Sequence, residues 1–102
     1  MSADNVSAAI TVAPAGPDEF LVTVAGARKT EHRVSVSADD VRRYAPEGTG
    51  VPLLLHESFR FLLEREPNTS ILSQFELSVI EQYFPEYPEE IRRRLSSTGG
   101  SD

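Results

Sequence analysis

Catalysis needs particular side chains at particular spacings, and this chain offers few that qualify. Its two histidines, His32 and His56, lie on different stretches, and neither has a second ligand at a metal-type interval such as HxxxH. His56 adjoins Glu57, a pairing that a solvated helix surface displays as readily as a catalytic site does. Ser58 lacks a GxSxG turn and has no base near it in sequence, so a small packing residue accounts for it. The glycines of EGTG (residues 47–50) and TGG (residues 98–100) form neither GxGxxG nor GxxxxGK[ST], so no phosphate cradle is written into the chain. Its 16 acidic residues are spread too evenly to single out an acid–base pair. The absence of cysteine excludes thiolate metal sites and disulfides. The expectation is a noncatalytic protein without metal or cofactor.

Binding chemistry has more material. Tyr83, Phe84 and Tyr87 stand with Pro85 and Pro88 in six residues. Such a stiff aromatic corner offers large contact area at low side-chain entropy cost, which makes these three rings the candidate partner-binding residues. The structural alternative is that they tuck under the last helix beside Ile91 and Leu95. Arg92, Arg93 and Arg94 form a basic run, but it is short, and Glu89 and Glu90 precede it. A solvated helix end explains it as well as an anion contact does. A helix-turn-helix drawn over residues 70–84 fails on charge. Residues 76–90 hold five glutamates and no Lys or Arg, a field that phosphate would repel.

The elements that must position these groups follow from periodicity. Leu54, Leu55, Ser58, Phe59, Phe61, Leu62 and Leu63 cover roughly 200° of a helix at about 100° per residue, wider than a surface helix needs. A helix over residues 52–65 is therefore expected to be central and covered on two sides. His56, Glu57, Arg60 and Glu64 form its polar stripe, with Glu57–Arg60 and Arg60–Glu64 able to pair. Pro52 suits its first turn, and Pro67 ends it. Upstream, residues 8–13 read as a short strand and 14–19 as a turn or loop. Residues 20–25 alternate with Phe20, Val22 and Val24 on one face, and GARKT forms a hairpin connection. Residues 31–37 alternate again, with His32, Val34 and Val36 inward and Arg33, Ser35 and Ser37 outward. Ser37 and Asp40 make a variant capping box for a helix from Ala38 to Tyr44, stopped at Ala45-Pro46. Beyond Pro67, cap residues Asn68, Thr69 and Ser70 introduce a helical segment over 70–84, either continuous or broken near Glu76–Leu77. Ser78 and Glu81 suggest a second capping box there. A last helix spans 88–95, with acids in its first turn, bases in its last and i,i+4 pairs Glu89–Arg93 and Glu90–Arg94.

These elements predict an α+β fold: an N-terminal antiparallel hairpin or three-stranded meander packed on three to four C-terminal helices. One domain is expected over 8–95, with disordered tails at 1–7 and 96–102, where large apolar groups are almost absent. At 39% hydrophobic and 25% charged, the composition fits a folded domain carrying tails. No apolar run approaches the ~18 residues of a membrane span, and no charged-then-apolar leader opens the chain, so a cytoplasmic location and no membrane partner are expected. The net charge of −6 disfavours broad nucleic-acid binding. A core this small supplies only ~3–5 kcal/mol, so a monomer or a weak homodimer is expected.

Two resemblances bear on function. The order strand, short helix, glycine-containing turn and amphipathic helix over residues 31–65 resembles that of ribbon-helix-helix repressors. That resemblance implies a DNA-binding dimer in which Arg33, Ser35 and Ser37 of the strand enter the major groove. Residues 28–43, with five bases against three acids, carry the needed charge, although RxSxS alternation is also what any half-exposed strand shows. The second lies in residues 58–87, SFRFLLEREPNTSILSQFELSVIEQYFPEY, which are similar to a family of short uncharacterised bacterial proteins with SFxFLLERExxxSIL and FxLSxIxxYFPEY blocks. That similarity implies a compact natural domain and brings no activity, ligand or catalytic residue. The leading expectation is an interaction or accessory module with a protein partner. A ribbon-helix-helix-like DNA-binding dimer is the alternative.

Overall fold

Alternation dictates the N-terminal third. In the computed structural model, which describes residues 9–26 and 28–100 and the side chains through Ser96, strands β1 (Ala9–Gly16), β2 (Glu19–Ala25) and β3 (Lys29–Ser35) form an antiparallel meander. Cross-strand rows place Ile10, Val24 and Thr30 side by side, then Val12, Val22 and His32, then Pro14, Phe20 and Val34. These rows face the core, and Val22, Val24 and Val34 have no exposed surface. The opposite rows, Thr11–Thr23–Glu31 and Ala13–Leu21–Arg33, lie on the other face, with Thr23 and Leu21 half-buried and the rest exposed. β1 runs three residues beyond the expected strand. Its turn into β2 is made by Pro17 and Asp18, and Asp18 takes φ 59°, a left-handed conformation that Asp tolerates better than most residues.

Helix α1 (Ala38–Tyr44) has the full capping box. Ser37 Oγ accepts from the Asp40 amide (3.1 Å), and the Asp40 carboxylate accepts from the Ser37 amide (3.0 Å). Helix α2 (Val51–Leu63) has Pro52 in its first turn and buries Leu54, Leu55, Ser58, Phe59, Phe61 and Leu62. One part of this arc meets the sheet, where Phe59 lies between His32 (5.3 Å) and Phe75 (6.2 Å). Another part meets the last helix, where Phe61 packs against Tyr87 at 5.4 Å. The doubly covered spine is therefore real. One residue departs from its expected stripe: Glu57 is buried, at 6% exposure, with Arg60 reaching it at 3.4 Å.

The 70–84 segment is not a helix in its first half. A 3₁₀ turn at Asn68–Ser70 leads into strand β4 (Gln74–Glu76), which lies parallel to β3 and completes a sheet of order β1-β2-β3-β4. Arg33 N–H donates to Ser73 O (2.8 Å), and Leu77 N–H donates to Ser35 O (2.9 Å). Ile71, Phe75 and Leu77 are buried while Gln74 and Glu76 are exposed, a period-two pattern that a helix would have broken by pointing Glu76 inward. Only then comes helix α3 (Val79–Tyr83), and Ser78 makes no side-chain cap for it.

Helix α4 (Tyr87–Gly100) starts one residue earlier and runs past the expected end at Leu95. Its arginines therefore sit mid-helix, and the last turn holds no base, so the dipole explanation for them does not apply. The expected tail at 1–7 and the last two residues lie outside the described residues. The fold is α+β with its helices on one face of the sheet, and the buried apolar side chains form one core.

Candidate functional site

Two of the groups that sequence weighed for chemistry, His32 and Ser58, are buried and held by hydrogen bonds. His32 is 2% exposed. Its Nδ1 lies 2.7 Å from the Leu72 carbonyl, which can only accept, so Nδ1 carries the proton. Nε2 then accepts from the Thr30 hydroxyl (2.8 Å), and that hydroxyl accepts in turn from Asn68 Nδ2 (2.9 Å). Asn68 also donates to Arg28 O (2.8 Å). This relay fastens residues 68–72 to β3. Ser58 Oγ donates to Leu54 O and accepts from the buried Tyr87 hydroxyl, both at 2.7 Å. His56 is partly exposed and 3.7 Å from Glu57. The two histidines do not converge, and no metal-holding cluster of His, Cys, Asp or Glu occurs among the described residues.

A further cluster escaped sequence reasoning. Tyr44, fully buried, donates from its hydroxyl to Glu81 Oε1 (2.8 Å), while Arg43 reaches Glu81 Oε2 (3.0 Å). Burial first, and then the Glu81 carboxylate, pushes the Tyr44 phenol up to about 12. The same hydrogen bond, with help from Arg43, holds the Glu81 carboxyl below its ordinary value. Burial likewise drives the Tyr87 phenol upward. At neutral pH both phenols keep their protons and Glu81 is ionised, which is the resting arrangement of an ion-pair network rather than of a general base near neutrality.

The basic run is also internally committed. Arg92 donates to the carbonyls of Arg43 and Ala45 at 3.2 Å and of Arg42 at 3.5 Å, capping the C-terminal end of α1. Arg93 and Arg94 both pair with Glu90, at 2.6 and 2.9 Å, and Arg94 also reaches Glu64 at 2.5 Å. Glu90 thus takes the role expected to be shared with Glu89.

Arg33 and Ser35 lie on a strand that has neighbours from its own chain on both sides, and Ser37 follows it. β3 is hydrogen-bonded to β2 along its length and, over Arg33–Ser35, to β4 on its other side. Arg33 pairs with Glu19 (3.2 Å), and Ser37 is occupied as the cap of α1. The strand–helix–helix order is present, whereas the ribbon of the repressor resemblance pairs this strand with a second copy and here Arg33–Ser35 pair with β2 and β4 of the same chain.

The aromatic corner divides. Tyr87 is fully buried against Tyr44 (5.0 Å) and Phe61, so it presents nothing to a partner. Phe84 is half-buried, edge-on to Phe61 at 5.8 Å. Tyr83 alone of the three projects into solvent, at 66% exposure. It stands on the rim of an apolar groove of about 240 Å³ between the C-terminal end of α2, the 68–72 turn, β4 and α3. Leu62, Ile71, Phe75, Val79, Ile80 and Phe84 line it, and Leu72, 48% exposed, stands on the rim with Tyr83. Glu66 and Ser70 are its polar members. The volume falls below the roughly 300–1,000 Å³ of small-molecule pockets and suits one or two protruding side chains. A broader basin beside α1 and α3 is polar, and its arginines are paired with Asp39 and Glu81. No helix among the described residues is long and apolar enough to cross a membrane.

Comparison with protein-family models, with curated proteins and with solved structures gives no match for the chain.

Proposed function

We propose that this chain is a small noncatalytic, cytoplasmic interaction or accessory module whose groove between α2, β4 and α3 receives an apolar side chain of a protein partner. One observation carries the reading. Among the described residues, Leu72 and Tyr83 are two of the three exposed large apolar residues, and both stand on the rim of the same concave apolar surface. Scattered exposed hydrophobes are ordinary, whereas hydrophobes gathered around a pocket mark contact sites. Glu66 gives the groove a sign. It is the charged member of the lining and makes no ion pair among the described residues. A partner segment with Leu or Phe as anchor and Lys or Arg beside it fits that chemistry, and the net charge of −6 would speed its approach.

The test is peptide selection against the folded protein followed by titration of the winners. Winners are expected to carry a large apolar residue with a base within a few positions, and to lose at least ~10-fold in affinity against Leu72→Ser/Tyr83→Ser. Winners indifferent to that double variant would place the site elsewhere.

A further inference from the structure

The two edges of the sheet are treated unequally. β4, at one end, is three residues long. β1, at the other, is eight residues long and has no strand on its outer side among the described residues. Long free edges are templates for another chain, and proteins blunt them with charge, proline or a bulge. In β1 the blunting covers only the second half, where Pro14 and the register irregularity between Pro14 and Gly16 fall. Ala9–Ala13 has neither, and no charged residue occurs from Ala9 to Pro17. The interior strand β3, which needs no such protection, holds Lys29, Glu31 and Arg33.

We infer that Ala9–Ala13 is a homodimer seam: two copies pair antiparallel through it, with the two-fold axis at Thr11, to give one eight-stranded sheet. The segment reads Ala-Ile-Thr-Val-Ala and is symmetric in residue type about Thr11. Antiparallel pairing about that residue sets Thr11 against the partner's Thr11, Ile10 against the partner's Val12 and Ala9 against the partner's Ala13. Every match joins residues of one face. Ile10 and Val12 lie on the helix side and are only partly buried, so the partner's side chains extend a core that stops short at this edge. Ala9, Thr11 and Ala13 are small and exposed on the other face. A one-residue slip would set core-facing Ile10 against outward Thr11, which disfavours it. Two chains of net charge −6 repel over most of their surfaces, and this uncharged strip lets them meet without like charges in contact. Self-complementarity is what an isologous interface demands, and it is why the occupant is a second copy rather than a foreign strand.

The chain has no cysteine, so single thiols report the register. Thr11→Cys should cross-link into a covalent dimer on mild oxidation. Ala13→Cys should not, because its symmetry mates would stand about 13 Å apart along the strands, beyond disulfide reach. Sedimentation equilibrium of the unmodified protein should show a reversible dimer forming between about 1 μM and 1 mM. Thr11→Lys, which sets two ammonium groups face to face on the exposed side, should abolish the dimer while leaving circular dichroism unchanged and, at concentrations where the unmodified protein is monomeric, melting unchanged as well. A monomer throughout that range would overturn the seam. So would a dimer that survives Thr11→Lys, or equal cross-linking from both thiols.

Discussion

Two flanks of α2 are finished differently. Toward α1 and α4 its surface is sealed: Ser58 accepts from the Tyr87 hydroxyl, Tyr87 packs tilted against Tyr44, and Tyr44 closes on Glu81. At its C-terminal end, toward β4 and α3, the surface opens into the groove rimmed by Leu72 and Tyr83. Both flanks are aromatic and share the same core. The difference is polar closure. On the sealed flank every phenol has a partner inside the protein, so burial is complete and the rings have one position. On the open flank the apolar walls meet no such partner, and what remains is a concave surface available to another molecule.

The sharpest way to break this contrast is to remove the ring that seats α2 on the sheet. Phe59→Ala should cost ~3–5 kcal/mol by urea unfolding, because the ring is fully buried between His32 and Phe75. A loss below ~1 kcal/mol would contradict the packing of α2 on the sheet.

Alkali should next distinguish the flanks. The folded protein holds the Tyr44 and Tyr87 protons more tightly than the unfolded chain does, with Tyr44 raised to about 12 and Tyr87 raised by burial. Their contribution is complete below the ordinary tyrosine value of about 10 and is lost as pH rises from there through the raised values. Melting temperature should therefore fall between about pH 10 and pH 12, and Tyr44→Phe should flatten that limb. A limb unchanged by the variant would remove Tyr44 from the seal.

A smaller effect is expected for Tyr87→Phe. It removes one buried hydrogen bond but leaves Ser58 donating to Leu54, so about 1 kcal/mol should be lost. Least of all, Leu72→Ser and Tyr83→Ser should each change stability by no more than ~0.5 kcal/mol, since both side chains are exposed, Leu72 at 48% and Tyr83 at 66%. Destabilisation of 2 kcal/mol or more by either would mean that the groove wall is core and not a contact surface.

Much of the fold was legible because it is local. Alternation in FLVTVA and EHRVSVS specified β2, β3 and their inward residues, the Ser37–Asp40 pair specified the start of α1, and the broad apolar arc specified α2. What was missed depends on contacts across the chain. β4 is three residues long and exists through its ladder with β3, so cap-forming Asn68, Thr69 and Ser70 read as the start of a helix instead. The conflict at Glu76 was the visible sign of a strand. Arg92 read as a solvated base because its partners are carbonyls at the end of a helix near residue 44. Tyr87 reads equally as a contact residue or as a ring tucked under the last helix, because nothing local discloses a hydroxyl partner 29 residues upstream. The groove was half legible, in that Tyr83 and Phe84 were named but its far wall of Ile71, Leu72 and Phe75 was assigned to the wrong element.

Nitration of the folded protein, with the modified sites mapped by mass spectrometry, tests the division of the flanks most directly. The chain has three tyrosines, of which Tyr44 and Tyr87 have no exposed surface and Tyr83 is 66% exposed. Modification confined to Tyr83 until the protein unfolds is the expected result. Early modification of Tyr87 would show that the flank described as sealed is open, and would return the candidate site to the whole aromatic corner.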